Sequence, residues 1–497
     1  MNIDFEGLKK LINDNIKLKI KLSNLEKHQD EINIWLEKIY NAKSYRLWEK
    51  YCFYRDRTIK SNPIKTLIKS IVPLEWKYNI KKFLSYFDTN KKEFEKCKKI
   101  LLNDIVKNQE IKEINKKVSI LIPTKNAGPL FEIVLKKIIS QKYIKQLEVV
   151  ILDSGSTDNT LKIAKDFDVK IINIKPEDFS HSSTRNIGAK FATGDYLLFT
   201  VQDAFFLNDK TIYDLINLLE KTGSIAGSTR QIPRSDADIF SSWQIDEFTK
   251  YISPNKKDIV VDIDKKTFIN LPIEKQRSFC TIDDVCSIFL KKEFDKIGGF
   301  NEKLKYGEDL DIGKRLIESG KKIVYLCSNG VIHSHTRSAS YFLKRYYVDT
   351  IFLKNIFNKN IVENNNINYN PNDLLYIFSK LGISLEKKYS LKDTNKKSTF
   401  TSLDIINDLL KNFKNRTNNK KLNYKIIQNE LDAFLKFQLN KINLFIKIEN
   451  LSSNEIALLV DKIFAIFVAN NLANYFLINN SKYPKLKEIN KILENGV

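Results

Sequence analysis

VSILIP (118–123), LEVVILD (147–153), VKIINI (169–174) and DYLLFTVQDA (195–204) are apolar runs that alternate with helical stretches. A helix follows the first run to about residue 141. STDNTLKIAKDF (156–167) opens a second, with Ser156 or Thr157 as the expected N-cap, and TRNIGAKFA (184–192) continues a third. Short apolar runs without polar alternation suit strands covered on both faces. Their alternation with helices predicts an α/β domain over about 116–350, built on a parallel, doubly wound, Rossmann-like sheet. Such a sheet binds its ligand beyond the carboxyl ends of its strands.

Those ends are polar. The first run closes on Pro123-Thr124-Lys125-Asn126, the second on Asp153-Ser154-Gly155-Ser156-Thr157-Asp158, and the fourth on Gln202-Asp203-Ala204. An acid ending the second strand can accept from a base N–H or a ribose hydroxyl, and the helix start after it favours phosphate. Asp203 could hold a divalent cation that bridges a diphosphate. One such Asp serves equally well as a helix cap; three polar tips together point to a nucleotide site.

Further on, GGFNE (298–302) makes a turn and GEDLDIGKR (307–315) starts a helix with Glu308, Asp309 and Asp311 in its first turn. Carboxylates there are favoured by the helix dipole alone, and each is also chemically able to act as a general base. The residue types do not choose between Glu308 and Asp309. VIHSHTRS (331–338) then follows the strand KKIVYL (321–326). The chain has 4 histidines, and His333 and His335, two apart on an extended segment, share one side of it. Beside an acidic candidate, that pair suits metal ligation.

Taken in order, IPTKN, DSGSTDNT, the F-x-H-x-x-T-R-N-x-G-A run (179–189), the QDA tip, GGFNE and GEDLDIGKR resemble an inverting family-2 glycosyltransferase of the GT-A fold. The TRNIGA and QDA forms resemble the branch associated with rhamnosyl transfer to bacterial surface polysaccharides. The resemblance covers about half the chain. It implies a nucleotide-sugar donor, dTDP-rhamnose first, with a UDP-hexose or UDP-N-acetylhexosamine as same-fold alternatives. The acceptor would be a lipid-linked or polysaccharide glycan. The resemblance gives Pro123, Thr124, Asn126, Asp153, Ser154, Gly155, Arg185 and Gln202 to the nucleotide and donor, with Asp153 on the nucleobase. It gives Asp203, with His333 or His335, to a Mg²⁺ or Mn²⁺ ion, and Asp309 to the role of base; Glu308 and Asp311 would support the base or the acceptor. The usual Asp-x-Asp is shortened here to Asp203-Ala204-Phe205, and Phe206 stands where this branch commonly has proline.

The flanks read differently. At 497 residues the chain is long enough for two to four domains. In 1–42 a heptad seam runs through Leu8, Leu11, Leu18, Leu22, Leu25, Ile32, Leu36 and Ile39, with Asn15 and Gln29 at the polar positions. Asp14 would face Lys19, and Lys21 would face Glu26, as in a parallel coiled-coil homodimer. Residues 43–115 form a basic helical region; 41–115 hold 18 Lys+Arg against 9 Asp+Glu, interleaved with aromatics such as Trp48, Tyr54, Trp76 and Phe83. With a net charge of +23, this suggests peripheral binding to the anionic inner face of the cytoplasmic membrane. Residues 351–497 read as a helical C-terminal region with no catalytic constellation. No nucleic-acid motif is visible, so nucleic acid is not an expected partner. A nucleic-acid-binding protein and a coiled-coil scaffold with a degenerate transferase domain are the rival readings. The 5 cysteines are too irregular for a disulfide framework, and MNIDFEGLKKLINDN lacks an apolar leader. Both indicate a cytoplasmic protein. The apolar stretch 456–478 is broken by Asp461, Lys462 and three asparagines, which argues against a lipid span.

Overall fold

The computed structural model describes residues 112–357, 371–389, 401–412, 424–479 and 486–494. The expected coiled coil (1–42) and the basic region (43–115), apart from its last four residues, lie outside the described residues.

In chain order the elements are β1 (Val118–Thr124), α1 (Phe131–Ile139), β2 (Leu147–Asp153), α2 (Thr160–Lys165), β3 (Lys170–Asn173), α3 (His181–Phe191), β4 (Tyr196–Thr200) and β5 (Phe205–Phe206). Next come α4 (Thr211–Thr222), β6 (Ala226–Ile232), α5 (Ile239–Ile252), β7 (Ile259–Val261), α6 (Lys265–Asn270), α7 (Ile273–Cys280) and β8 (Cys286–Leu290). The sheet-bearing part ends with α8 (Lys291–Lys296), α9 (Glu308–Glu318) and β9 (Ile323–Ile332). The remainder is helical: α10 (Ala339–Ile356), α11 (Pro371–Tyr389), α12 (Thr401–Asn412), α13 (Tyr424–Phe445), α14 (Ser453–Asn479) and α15 (Leu486–Glu494). The described residues fall into two compact units. One comprises 124–140 and 151–176; the other comprises 112–123, 141–150 and the chain from 177 onward.

The strands hydrogen-bond in the order β3-β2-β1-β4-β8-β6-β9-β5, with β7 on β9. β1 and β4 are parallel, as are β6 and β9. The sheet is nevertheless mixed, which corrects the expectation of a wholly parallel one. β8 lies antiparallel between β4 and β6, and β5 and β7 run antiparallel to β9. CSIFL (286–290) is buried over its first four residues whichever way it runs, so its apolar pattern carries no direction. The α5–α7 excursion returns it reversed.

Two features position the chemistry. β5 pairs through Phe205 with Ile332 and through Phe206 with Val331, which sets the turn at 202–204 beside residues 333–335. α9 starts from Gly307, whose φ of 74° is left-handed, and a Cβ there would lie 2.3 Å from the Phe352 ring. Only glycine satisfies both demands, so this turn fixes where the three carboxylates begin.

Beyond β9, α10–α15 share one apolar core with Phe240 and Trp243 of α5. α14 is long and apolar enough to cross a membrane by length and composition, yet 78% of its apolar window is buried within the protein. Asp461 accepts from the Ser402 hydroxyl and Lys462 donates to Asp238, which satisfies the two charges that interrupt it.

Candidate active site

In the unit of 124–140 and 151–176, Asp153 is 2% exposed and turned inward. One carboxylate oxygen accepts from the Ser156 hydroxyl at 2.5 Å and from Thr124 Oγ1 at 3.4 Å; the other accepts from the Gly155 and Ser156 amides, both at 3.0 Å. The carboxylate is held by its own loop and by the end of β1. Gly155, at φ 86°, permits the turn, and a Cβ would lie 2.9 Å from Pro176 Cγ. Asn126, itself left-handed at φ 50°, receives the Thr157 amide at 2.8 Å and donates its own amide to Ser156 Oγ at 2.9 Å. Ser154 donates its amide and hydroxyl to the Thr124 carbonyl at 2.9 and 3.1 Å. Ser156 and Thr157 are thus committed to this loop, and α2 starts only at Thr160, later than their expected capping role required. Pro123, one residue before Thr124, is half-buried.

In the larger unit, Asp203, His333 and His335 bring three ligand atoms within 4.8 Å of one another. Asp203 lies 3.6 Å from His333 Nε2 and 3.4 Å from His335 Nε2, and the two Nε2 atoms are 3.2 Å apart. His333 Nδ1 meets Gln231 Oε1 at 2.9 Å, and the Gln231 amide donates to Asp283 at 2.5 Å. That contact lets Nδ1 carry the proton and leaves Nε2 with its lone pair toward the cluster, a usual arrangement for metal-bound histidine. Partial burial, with His333, Arg337 and Arg234 nearby, pushes His335 down to about 4 despite the opposing pull of Asp203, so it is neutral at pH 7. Burial resists ionisation of Asp203, but the His333 contact, the two histidines and Arg234 outweigh it and hold the carboxyl below its ordinary range. Two imidazoles and an ionised carboxylate, close to the ~3.0 Å spacing of adjacent ligands ~2.1 Å from an ion, fit a divalent cation. Gln202 is half-buried beside Asp203.

The three carboxylates of α9 part ways. Glu308 accepts from Arg185 at 2.7 Å, and Asp311 accepts from Arg315 at 2.7 Å. Among the described residues Asp309, half-buried, accepts only its neighbour's amide, Leu310 N, at 2.7 Å and has no ion pair. Burial first, then Glu308, Asp284 and Asp283, raises its pKa well above the carboxylate norm. Arg185 is 5% exposed and also lies 3.4 Å from Asp284. It ties α3 to α9 and to the turn before β8.

The family model described as Glycosyl transferase family 2 matches residues 119–297. The O-antigen chain rhamnosyltransferase RfbN of Salmonella typhimurium is 30% identical over 235 residues, 46% of this chain and 70% of that protein. The chain belongs to glycosyl transferase family 2. Another relative of this family-2 enzyme, the O-antigen chain rhamnosyltransferase WbaN of Salmonella anatum, is 28% identical over 232 residues, 46% of this chain and 70% of its own. Among solved structures, the mannosyltransferase PcManGT of Pyrobaculum calidifontis, in complex with GDP-Man and Mn²⁺, is 15% identical over 80% of this chain and 98% of that one, with a TM-score of 0.40.

Sequence reasoning missed several residues that organise this family-2 site. Asp283 holds Gln231, and Gln231 holds His333; Asp284, next in the chain, faces Arg185. The one signal was a pair of acids at the head of an apolar strand, TIDDVCSIFL (281–290). Tyr306, just before Gly307, donates to Asp349 at 3.0 Å and lies under the Arg345 guanidinium at 4.2 Å. Nothing in the local sequence announced it.

Proposed function

We propose that this family-2 glycosyltransferase moves rhamnose from dTDP-rhamnose to a hydroxyl of a lipid-linked or surface-polysaccharide glycan, with inversion at the anomeric carbon. The observation that carries the reaction type is that one carboxylate at the start of α9, Asp309, makes no ion pair among the described residues while its neighbours are paired. The rhamnosyl donor is supported by the 30% identity to RfbN.

The chemistry follows from the residues. Asp309 accepts the proton of the attacking acceptor hydroxyl as that oxygen bonds to the anomeric carbon. The bond from that carbon to the diphosphate oxygen breaks through an oxocarbenium-like transition state. Its electrons leave with the nucleoside diphosphate, so no protein acid is needed. Asp203, His333 and His335 would hold a Mg²⁺ or Mn²⁺ ion, which when bound supplies charge neutralisation to the leaving group. Gln231 and Asp283 keep His333 aimed. Arg185, by pairing with Glu308, keeps that carboxylate from competing for the acceptor. The loops at 123–126 and 153–155 keep the nucleotide role given by the resemblance, with Asp153 shaping the loop.

A donor screen on the full chain, with and without EDTA, tests this reading. Turnover of dTDP-rhamnose that is lost in EDTA is expected. Turnover of only a UDP-hexose or UDP-N-acetylhexosamine would replace the donor, and no turnover of any donor would overturn the enzyme reading. The proposal places the enzyme as a homodimer, peripheral at the inner membrane face, through residues 1–115. Deleting 1–40 is expected to halve the solution mass. Flotation with anionic vesicles should weaken as salt rises, because about 1 kcal/mol per basic residue is electrostatic.

A further inference from the structure

The catalytic reading gives no task to Lys462, a 4%-exposed ammonium in the middle of the apolar helix α14. Its Nζ donates to Asp238 Oδ2 at 2.5 Å and lies 5.4 Å from the ring centres of both Phe240 and Phe342. Burying an ammonium is expensive, and an apolar side chain of similar length would fill the same space without that cost. What the charge accomplishes is to fix Asp238.

Asp238 stands at the start of α5, where its other oxygen accepts from the Ser241 amide at 2.8 Å. From there the bonds lead to the histidine segment. Asp238 N donates to Thr336 Oγ1 at 3.2 Å, and Ser241 Oγ donates to the His335 carbonyl at 3.0 Å. Arg234 N donates to Ser334 Oγ at 3.0 Å, and His333 N donates to the Ile232 carbonyl at 2.9 Å. Four consecutive residues, 333–336, are therefore stitched to the 232–241 stretch. The far end of that stretch is anchored by a lysine 224 positions along the chain from Asp238.

We infer that the C-terminal helices serve the cation site, with Lys462 as a positioning residue that acts through Asp238 to hold His335 in ligating geometry. This inference rests on the reading of Asp203, His333 and His335 as ligands of a divalent cation. Partners one step removed from a metal typically change its affinity 10–100-fold; Lys462 lies three contacts from His335, through Asp238 and Ser241, so a smaller change of about 3-fold is expected.

The test uses the full chain without substrate: Mn²⁺ is titrated and the free ion is followed by electron paramagnetic resonance, with thermal unfolding measured in parallel. Wild type should bind Mn²⁺ and His335→Ala should lose it. Lys462→Met should bind about 3-fold more weakly, and Lys462→Arg should recover most of the affinity. Ser402→Ala removes the neighbouring buried bond to Asp461 in the same turn of α14, so it should lower the melting temperature with Mn²⁺ affinity unchanged. Wild-type affinity in Lys462→Met, with binding still lost in His335→Ala, would overturn the positioning role. Equal weakening in Ser402→Ala and Lys462→Met would overturn it as well, since general loosening would then be the cause. If wild type and His335→Ala bind alike, the cation reading itself falls.

Discussion

Asp309→Asn should lose sugar transfer by at least about 10²-fold, the lower end for a positioned general base, while binding of the nucleotide-sugar stays near wild type. The amide keeps the size and the hydrogen bond from Leu310 N but cannot accept the acceptor's proton. The pH profile gives an independent check. The base must be ionised, and burial with Glu308, Asp284 and Asp283 raises its pKa. Activity should therefore fall on the acid side at a pH above the ordinary carboxylate value of about 4, and the limb should disappear from the residual activity of the variant. The stability sign also helps. A carboxyl whose folded pKa is raised favours folding only in its protonated form, a contribution present below the unfolded pKa and lost as pH rises through the folded one. Asn removes that burden, so at neutral pH the variant should melt no lower than wild type. Near-normal turnover in Asp309→Asn with inactive Glu308→Gln would show the base to be misassigned. Normal turnover in both would leave α9 with a purely structural carboxylate cluster.

Asp203→Ala should abolish measurable Mn²⁺ binding, more than the 10–100-fold typical of groups one step removed from a metal, and transfer should fall with it. The shortened motif makes this loss severe, because no second carboxylate follows at Ala204 or Phe205. Protonation of His335 would not account for it: Asp203 pulls the His335 pKa upward, so its removal leaves that imidazole more firmly neutral. Calorimetric titration of Mn²⁺ checks the prediction, and unchanged affinity would mean that the cluster is a hydrogen-bonded triad without an ion.

How far the sequence could be read depended on the range of the interaction involved. The strand runs, α3, α9 and the histidine pair were legible because each rests on local periodicity or on spacing along an extended segment. Asp311 and Arg315, four apart on one helix, were a visible pair. Arg185 and Glu308 were not, since 123 positions separate them, and that contact is what singles out Asp309. The direction of β8 was illegible because a buried strand reads the same both ways. Ser156 and Thr157 looked like caps because hydroxyls favour helix starts. The carboxylate of Asp153 and the side chain of Asn126 compete for the same groups, and in the fold they prevail.

The apolar core shared by α5 with α10–α15 sets where this protein can be cut. The family match ends at residue 297, which invites trimming to the sheet-bearing part. A chain ending before α10 would bare Phe240 and Trp243, now 1% and 6% exposed, and would leave Asp238 without Lys462. Each large side chain returned to water forfeits about 1.5–3 kcal/mol, against a total of about 5–15 for a typical domain. The smallest portable piece of this enzyme is therefore the sheet together with its helical partner, and the catalytic module has no independent edge at the end of its recognisable motifs.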